Sequence, residues 1–137
     1  MPYLSVKIAT FVPAAEFGAM ATTLALELSA LTTQWLGKKH DLTAVTVERV
    51  EPMHWFVAGK PLVAHGVASF FHEVKVTAGT NTKDEKAAYL RAVYDLFGRV
   101  LGIVHPASYA VIQEVPADAW GYSGETQERR YVRATGM

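Results

Sequence analysis

Residues 5–10 read SVKIAT and residues 73–78 read EVKVTA, and the echo between these two stretches decides how the chain folds. Lys7 and Lys75 stand 68 positions apart, each in a short β-prone segment, the first of which runs from Tyr3 to Ala9. A helical pattern follows each segment. The first carries Phe17, Met20, Leu24, Leu28, Leu31 and Trp35, at spacings of 3, 4, 4, 3 and 4. The second carries Tyr89 or Leu90, then Val93, Phe97, Val100 and Leu101. Both show the 3.6-residue period of a helix with one buried face. Thr82–Glu85 reads TKDE, the spacing of a capping box, which predicts a helix start there. Gly37 and Gly102 stand just past the two helix ends, where a left-handed residue is favoured.

A second strand then follows in each half, TAVTVERV at Thr43–Val50 and YAVIQEV at Tyr109–Val115. Each leads to a similar ending, WFVAGK at Trp55–Lys60 and WGYSGE at Trp120–Glu125, now offset by 65 residues. The unit is strand, helix, strand and a glycine-containing hairpin, used twice: about 2–62 and about 68–127, in a single domain spanning 1–137 with a C-terminal tail. A β-α-β unit of this length demands a parallel strand pair with a right-handed crossover. Two such units join into one four-stranded mixed sheet with both helices on one face and short hairpin strands added, an α/β fold (α+β in some schemes). Alternating Val and Ile with few charges make a solvated second face costly, which predicts that sheets pack together in an oligomer.

Composition narrows the function classes. Half of the 137 residues are hydrophobic and 19% are charged, so the chain has the means for a core and disorder is excluded. Thirteen basic and thirteen acidic side chains cancel, which argues against nucleic acid or an anionic membrane as the principal partner. There is no cysteine, hence no disulfide, thiolate metal site or thiol nucleophile. The N-terminus lacks the basic-then-apolar pattern of a secretory signal, and the apolar run Phe17–Leu36 contains Glu27 among several Ser and Thr, so it reads as an amphipathic helix; the expectation is a cytoplasmic protein. The five histidines show neither HxxxH nor HxH spacing, and no phosphate-binding glycine motif or G-x-S-x-G elbow occurs. No metal and no cofactor are expected.

Pro2 directly after Met1, the duplicated β-α-β plan and the closing aromatic–Gly–x–x–Gly–Glu at Trp120–Glu125 together resemble the tautomerase superfamily, the 4-oxalocrotonate tautomerase and macrophage migration inhibitory factor-like proteins, in its long tandem-unit form. The resemblance spans roughly Pro2 to Gln127. It implies a homotrimer and an isomerase that moves a proton between enol and keto forms of a small 2-keto or enol carboxylic acid. It also implies that Pro2, once Met1 is removed, is the general base and acid. A secondary amine at a chain terminus titrates near 8 rather than near 10.4 as lysine does, and desolvation beside cations lowers that further. Acylated by Met1, the same nitrogen is an amide without basicity. The alternatives within the resemblance are hydratase-type chemistry, decarboxylase or dehalogenase, using a protonated proline, and a catalytically silent member of the fold.

The family also needs groups that hold the substrate carboxylate and polarise its carbonyl. The positions matching its arginines are about Val12 and Thr46 in the first half and Thr80 and Tyr109 in the second, with another pair near Thr80 and Thr82; none is basic. Positions matching a pocket tyrosine and asparagine hold Ala110 and Ile112. Lys38, in LGKKHDLTAV, matches a lysine that sits beside the family's proline. The resemblance therefore makes Pro2 the catalytic candidate, with Lys38, Trp120 and Tyr109 as candidate substrate contacts. Two arginines join them on other grounds. Arg49 is in register with the inward valines Val45 and Val47 and wants a carboxylate, from the protein or from a substrate. Arg130, in the tail ERRYVR, is placed to reach a neighbouring subunit's site and supply a missing cation.

Overall fold

The computed structural model describes residues 1–136. Strand β1 (Tyr3–Ala9), helix α1 (Phe17–Leu36) and strand β2 (Ala44–Val50) lead into a hairpin of β3 (Phe56–Val57) and β4 (Lys60–Pro61), closed by a single helical turn, α2 (Leu62–His65). The same order returns as β5 (Ser69–Thr77), α3 (Lys83–Leu101), β6 (Tyr109–Val115), the hairpin β7 (Gly121–Tyr122) and β8 (Glu125–Thr126), and α4 (Gln127–Thr135). The four long strands form one mixed sheet in the order β2-β1-β5-β6. Within each unit the strands are parallel, β1 to β2 and β5 to β6, and the units meet through the antiparallel pair β1–β5.

Strand alternation sends Leu4, Val6 and Ile8 of β1, with Phe70, His72, Val74 and Val76 of β5, to one face, where α1 and α3 cover them. The Val and Ile alternation seen in the sequence belongs to this covered face. The opposite face is mixed: Tyr3 shares a hydrogen bond with Thr46 (2.7 Å), Lys75 lies 3.6 Å from Glu73, and Phe71, Tyr109 and Val111 stand exposed beside them.

Helix α3 starts where the TKDE spacing predicts. Thr82 accepts from the Glu85 N–H and the Glu85 carboxylate accepts from the Thr82 N–H, a complete capping box. Gly37 closes α1 in the left-handed region (φ 68°, ψ 25°); Gly102, expected to do the same for α3, has φ 81° with ψ −131°. In α1 the buried line runs Leu24, Leu28, Thr32, Leu36, so Trp35, expected at the interface, is largely outside it. A threonine is tolerated in that line because its hydroxyl donates to the Ser29 carbonyl at 2.7 Å. The two hairpins turn through Ala58–Gly59 and Ser123–Gly124, all four with positive φ, which is the backbone a two-residue hairpin loop requires.

His72 lies at the join of the two units and is fully buried. Its Nδ1 is 3.0 Å from the Ser5 carbonyl and its Nε2 is 2.8 Å from the Tyr89 hydroxyl. A carbonyl only accepts, so Nδ1 carries the proton and Tyr89 donates to Nε2. The neutral ring satisfies both partners, and burial pushes its pKa down to about 4. In the unfolded chain the ring titrates near 6.5. Above that pH the histidine is neutral in both states. Between 6.5 and about 4 only the unfolded chain takes up the proton, so stability falls with falling pH, by on the order of 3 kcal/mol in total, and levels off below. Urea midpoints should therefore drop between pH 7 and pH 5 in the wild type and far less in His72→Phe; an equal drop in both would remove His72 as the cause.

Candidate active site

The topology gathers chain segments at one end of the sheet. Parallel pairing sets the start of β2 beside the start of β1, and antiparallel pairing sets the end of β5 on its other side. Tyr3 is opposite Ala44 and Lys75, so Pro2, just before the strand, lies between the loop that ends α1 and the loop that follows β5. The end of β6 reaches the same place, and the second hairpin and α4 fold over it. Met1, Lys38, Thr80, Ala117, Gln127 and Tyr131 line the resulting cavity of about 360 Å³, with Thr77 and Ala78 at the end of β5.

Lys38 follows the helix-ending Gly37, and its backbone N–H donates to the Thr32 carbonyl (3.2 Å). Its ammonium donates to the Thr80 hydroxyl at 2.8 Å, which in turn donates to the Thr77 carbonyl at 2.7 Å. Thr80, one of the positions where the family resemblance called for an arginine, thus orients a cation instead of supplying one. Burial lowers the Lys38 pKa, while Glu85 and Glu114 pull it the other way. Glu114 is itself held by Lys86 (2.7 Å).

Pro2 is buried, and the terminal amine attached through Met1 titrates below its ordinary value. Desolvation is the largest cause; the positive charges of Lys38, Arg130 and Lys39 act in the same direction. Trp120 comes to the same point from the second hairpin, its indole Nε1 donating to the Met1 carbonyl at 2.7 Å. Arg130 projects from α4, its guanidinium over the Tyr122 ring (4.5 Å to the centroid) and its Nη1 donating to Gln127 Oε1 at 3.3 Å.

The structure therefore brings Pro2, Lys38, Trp120 and Arg130 together, all within one chain. The segment read as a tail is a nine-residue helix over its own chain's cavity. Its signals are in the sequence: Thr126 caps it by accepting from the Arg129 N–H (3.0 Å), Glu128 lies in the first turn and Gly136 ends it. Gln127 and Tyr131 belong to the site through that helix, and sequence reasoning missed both.

Arg49 and Tyr109 lie at the opposite end of the sheet. Arg49 is in register with Ile8, donates to the carbonyls of Val12 (3.1 Å) and Thr10 (3.3 Å), and pairs with Glu51. The carboxylate it wants is supplied by the protein. Tyr109, the first residue of β6, is exposed beside Phe71 and lines a second cavity of about 290 Å³ with Trp55 and Phe56. Among the described residues no three His, Cys, Asp or Glu side chains gather as a metal site would need, and no helix is long and apolar enough to cross a membrane.

The duplicated β-α-β sheet recurs in known proteins of tautomerase fold. Residues 71–130 match the family described as tautomerase enzyme. Among solved structures, a fused 4-OT in the form of a symmetric trimer superposes with a TM-score of 0.74 at 22% identity, covering 92% of this chain and 96% of its own. A native fused 4-OT gives 0.71 at 20% identity over 98% and 99%, and a macrophage migration inhibitory factor-like protein from Entamoeba histolytica gives 0.68 at 19% over 91% and 97%. No curated protein matches the sequence. Residues 71–130 are thus similar in sequence to the tautomerase family, and the whole chain has the fold of the fused, tandem-unit 4-OT structures.

The role assigned to Arg49 has a direct consequence. Arg49→Met leaves the Val12 and Thr10 carbonyls without their charged donor, and should lower stability by about 1–3 kcal/mol. A urea midpoint unchanged from wild type would contradict that role.

Proposed function

We propose that the protein is a tautomerase, an isomerase that moves a proton between the enol and keto forms of a small 2-keto or enol carboxylate, with Pro2 as the group that takes and returns it. The observation that carries this reading is the depressed terminal amine among Lys38, Arg130 and Lys39. Removal of Met1 transfers the amine to Pro2, which is more deeply enclosed, and the same desolvation and the same cations then act on it. A secondary amine so placed holds its proton less tightly than a free one, and in its unprotonated form it accepts a proton from an enol oxygen or an α-carbon, then delivers it to the neighbouring carbon. Lys38 from the lining of the cavity and Arg130 from the helix over it are the cations for the substrate carboxylate, and the indole of Trp120, bonded to Met1, closes the site beside Pro2.

The cations also discriminate between reactions. Hydratase-type chemistry needs the proline protonated, and positive charges around a buried amine oppose that state. The symmetric trimer of the fused 4-OT supports a homotrimer as the assembly for this chain.

Two measurements test the reading. Ketonisation of phenylenolpyruvate by chain beginning at Pro2 should collapse by at least about 100-fold in Pro2→Ala, the scale of a lost general base. The wild-type kcat/KM should rise with pH through an apparent pKa below 8 and then stay level, because the base acts unprotonated. Equal rates in the two proteins would sink the proline mechanism, and a rate that falls as pH rises would favour the protonated-proline alternative.

A further inference from the structure

Two side chains at this end of the sheet, Trp120 and Gln127, carry N–H donors that the reading above does not use. One is the Trp120 indole N–H, which donates to the Met1 carbonyl. That carbonyl belongs to the amide of Pro2, so its oxygen stands within one bonded carbon of the proline nitrogen. When Met1 leaves, the donor keeps its place through the hairpin and loses its partner. The other is the side-chain amide of Gln127. Its Oε1 accepts from Arg130, which fixes the orientation of the amide group and turns Nε2 away from that guanidinium. Nε2 is enclosed and, among the described residues, has no hydrogen-bond partner. An enclosed amide donor left unpaired costs about 1–3 kcal/mol, so its persistence calls for an occupant. Gln127 and Met1 line the same cavity, and loss of Met1 enlarges it beside that donor. Among the described residues the one other such atom, Glu125 Oε2, is an acceptor on a residue that lines a separate cavity with Arg130 and Arg133.

We infer that Trp120 Nε1 and Gln127 Nε2 form a neutral donor pair that binds the keto oxygen of a 2-oxo monocarboxylate, which takes over from the Met1 carbonyl as the acceptor of the Trp120 N–H. The location rests on the proline chemistry proposed above; the binding does not require it. Neutral donors suit this task. They polarise a carbonyl oxygen as negative charge develops on it, without adding a fourth positive charge that would hold the proline amine unprotonated at the cost of attracting a second carboxylate. The division of labour, cations for the carboxylate and neutral N–H groups for the carbonyl, selects acids with one carboxylate and an adjacent oxo group. The two donors are also mechanically linked, since the Gln127 backbone N–H donates to the Trp120 carbonyl at 2.8 Å.

The test compares two acids that cannot tautomerise at the carbon concerned. Phenylglyoxylate carries a carbonyl next to its carboxylate and no α-hydrogen; phenylacetate has a methylene in the same place. Calorimetric titration of chain beginning at Pro2, verified by intact mass, should show phenylglyoxylate bound about tenfold more tightly, the size of one to two hydrogen bonds. Trp120→Phe and Gln127→Met should each erase most of that preference, read as the ratio of the two dissociation constants in one variant; Gln127→Met also removes the acceptor that holds Arg130, so it lowers the affinity for both acids as well as their ratio. Chain that retains Met1 should show no preference. Equal binding of both acids by the wild type, binding of neither, or variants that weaken both acids alike would overturn the inference. A Pro2→Ala chain that keeps full turnover would sink the proposed reaction and leave the binding preference standing, so the two failures are distinguishable.

Discussion

The antiparallel pairing of β1 with β5 is the constraint on which everything else in the molecule hangs. Each β-α-β unit fixes only its own parallel pair; nothing within a unit says where its partner lies. The register Tyr3 opposite Lys75, Val6 opposite His72, Ala9 opposite Ser69 makes one continuous sheet and places both helices on one side of it. It also brings the beginning of one unit to the end of the other. Slipping that register by one residue would turn Leu4, Val6 and Ile8 to the bare face and Lys7 into the core. His72, bonded to the Ser5 carbonyl across the join and to Tyr89 above it, resists such a slip with directional contacts that apolar packing lacks.

Because β1 ends the sheet's first unit and β5 begins the second, the site is built from both halves. The first unit supplies Pro2 and Lys38, the second Thr80, Trp120, Gln127 and Arg130. A single charge in the cavity would do little in water, but here the amine is desolvated, and each of its cationic neighbours acts through a medium that screens poorly. On the proposed reading, this is how a site with no basic residue at the positions matching the family's arginines holds an anion. The cations come from a helix end and a closing helix in place of strand positions, and Thr80 anchors one of them.

Much of this was legible in the sequence. Strand bounds, the capping box and the two hairpins follow from local chemistry that tertiary contacts do not override: β-branched alternation, the Thr82–Glu85 spacing, glycines at positive φ. Trp35 was read as an interface residue because a large apolar side chain at the right spacing outweighs a threonine in any periodicity count, whereas Thr32 lies there with its hydroxyl satisfied by its own helix. Pro2, Lys38 and Trp120 could be named from the resemblance alone. Gln127 and Tyr131 could not, because a nine-residue polar helix leaves no apolar stripe to find and its role arises only when it folds back on the chain's first residues.

The two ends of the sheet show what duplication leaves free to diverge. Leu62 donates to the Trp55 carbonyl and Gln127 to the Trp120 carbonyl, both at 2.8 Å, so the hairpins and the residues after them are equivalent in backbone. Their side chains are not. Leu62 is fully buried and apolar where Gln127 offers an unpaired donor, and Ile103 follows α3 where Lys38 follows α1. At that opposite end no chain terminus exists, since β5 continues from the first unit, and Arg49 is consumed by backbone carbonyls and Glu51. On the proposed reading the freed amine belongs to the first of these ends, near Lys38 and Arg130, while the second is lined by the aromatic side chains of Trp55, Phe56, Phe71 and Tyr109.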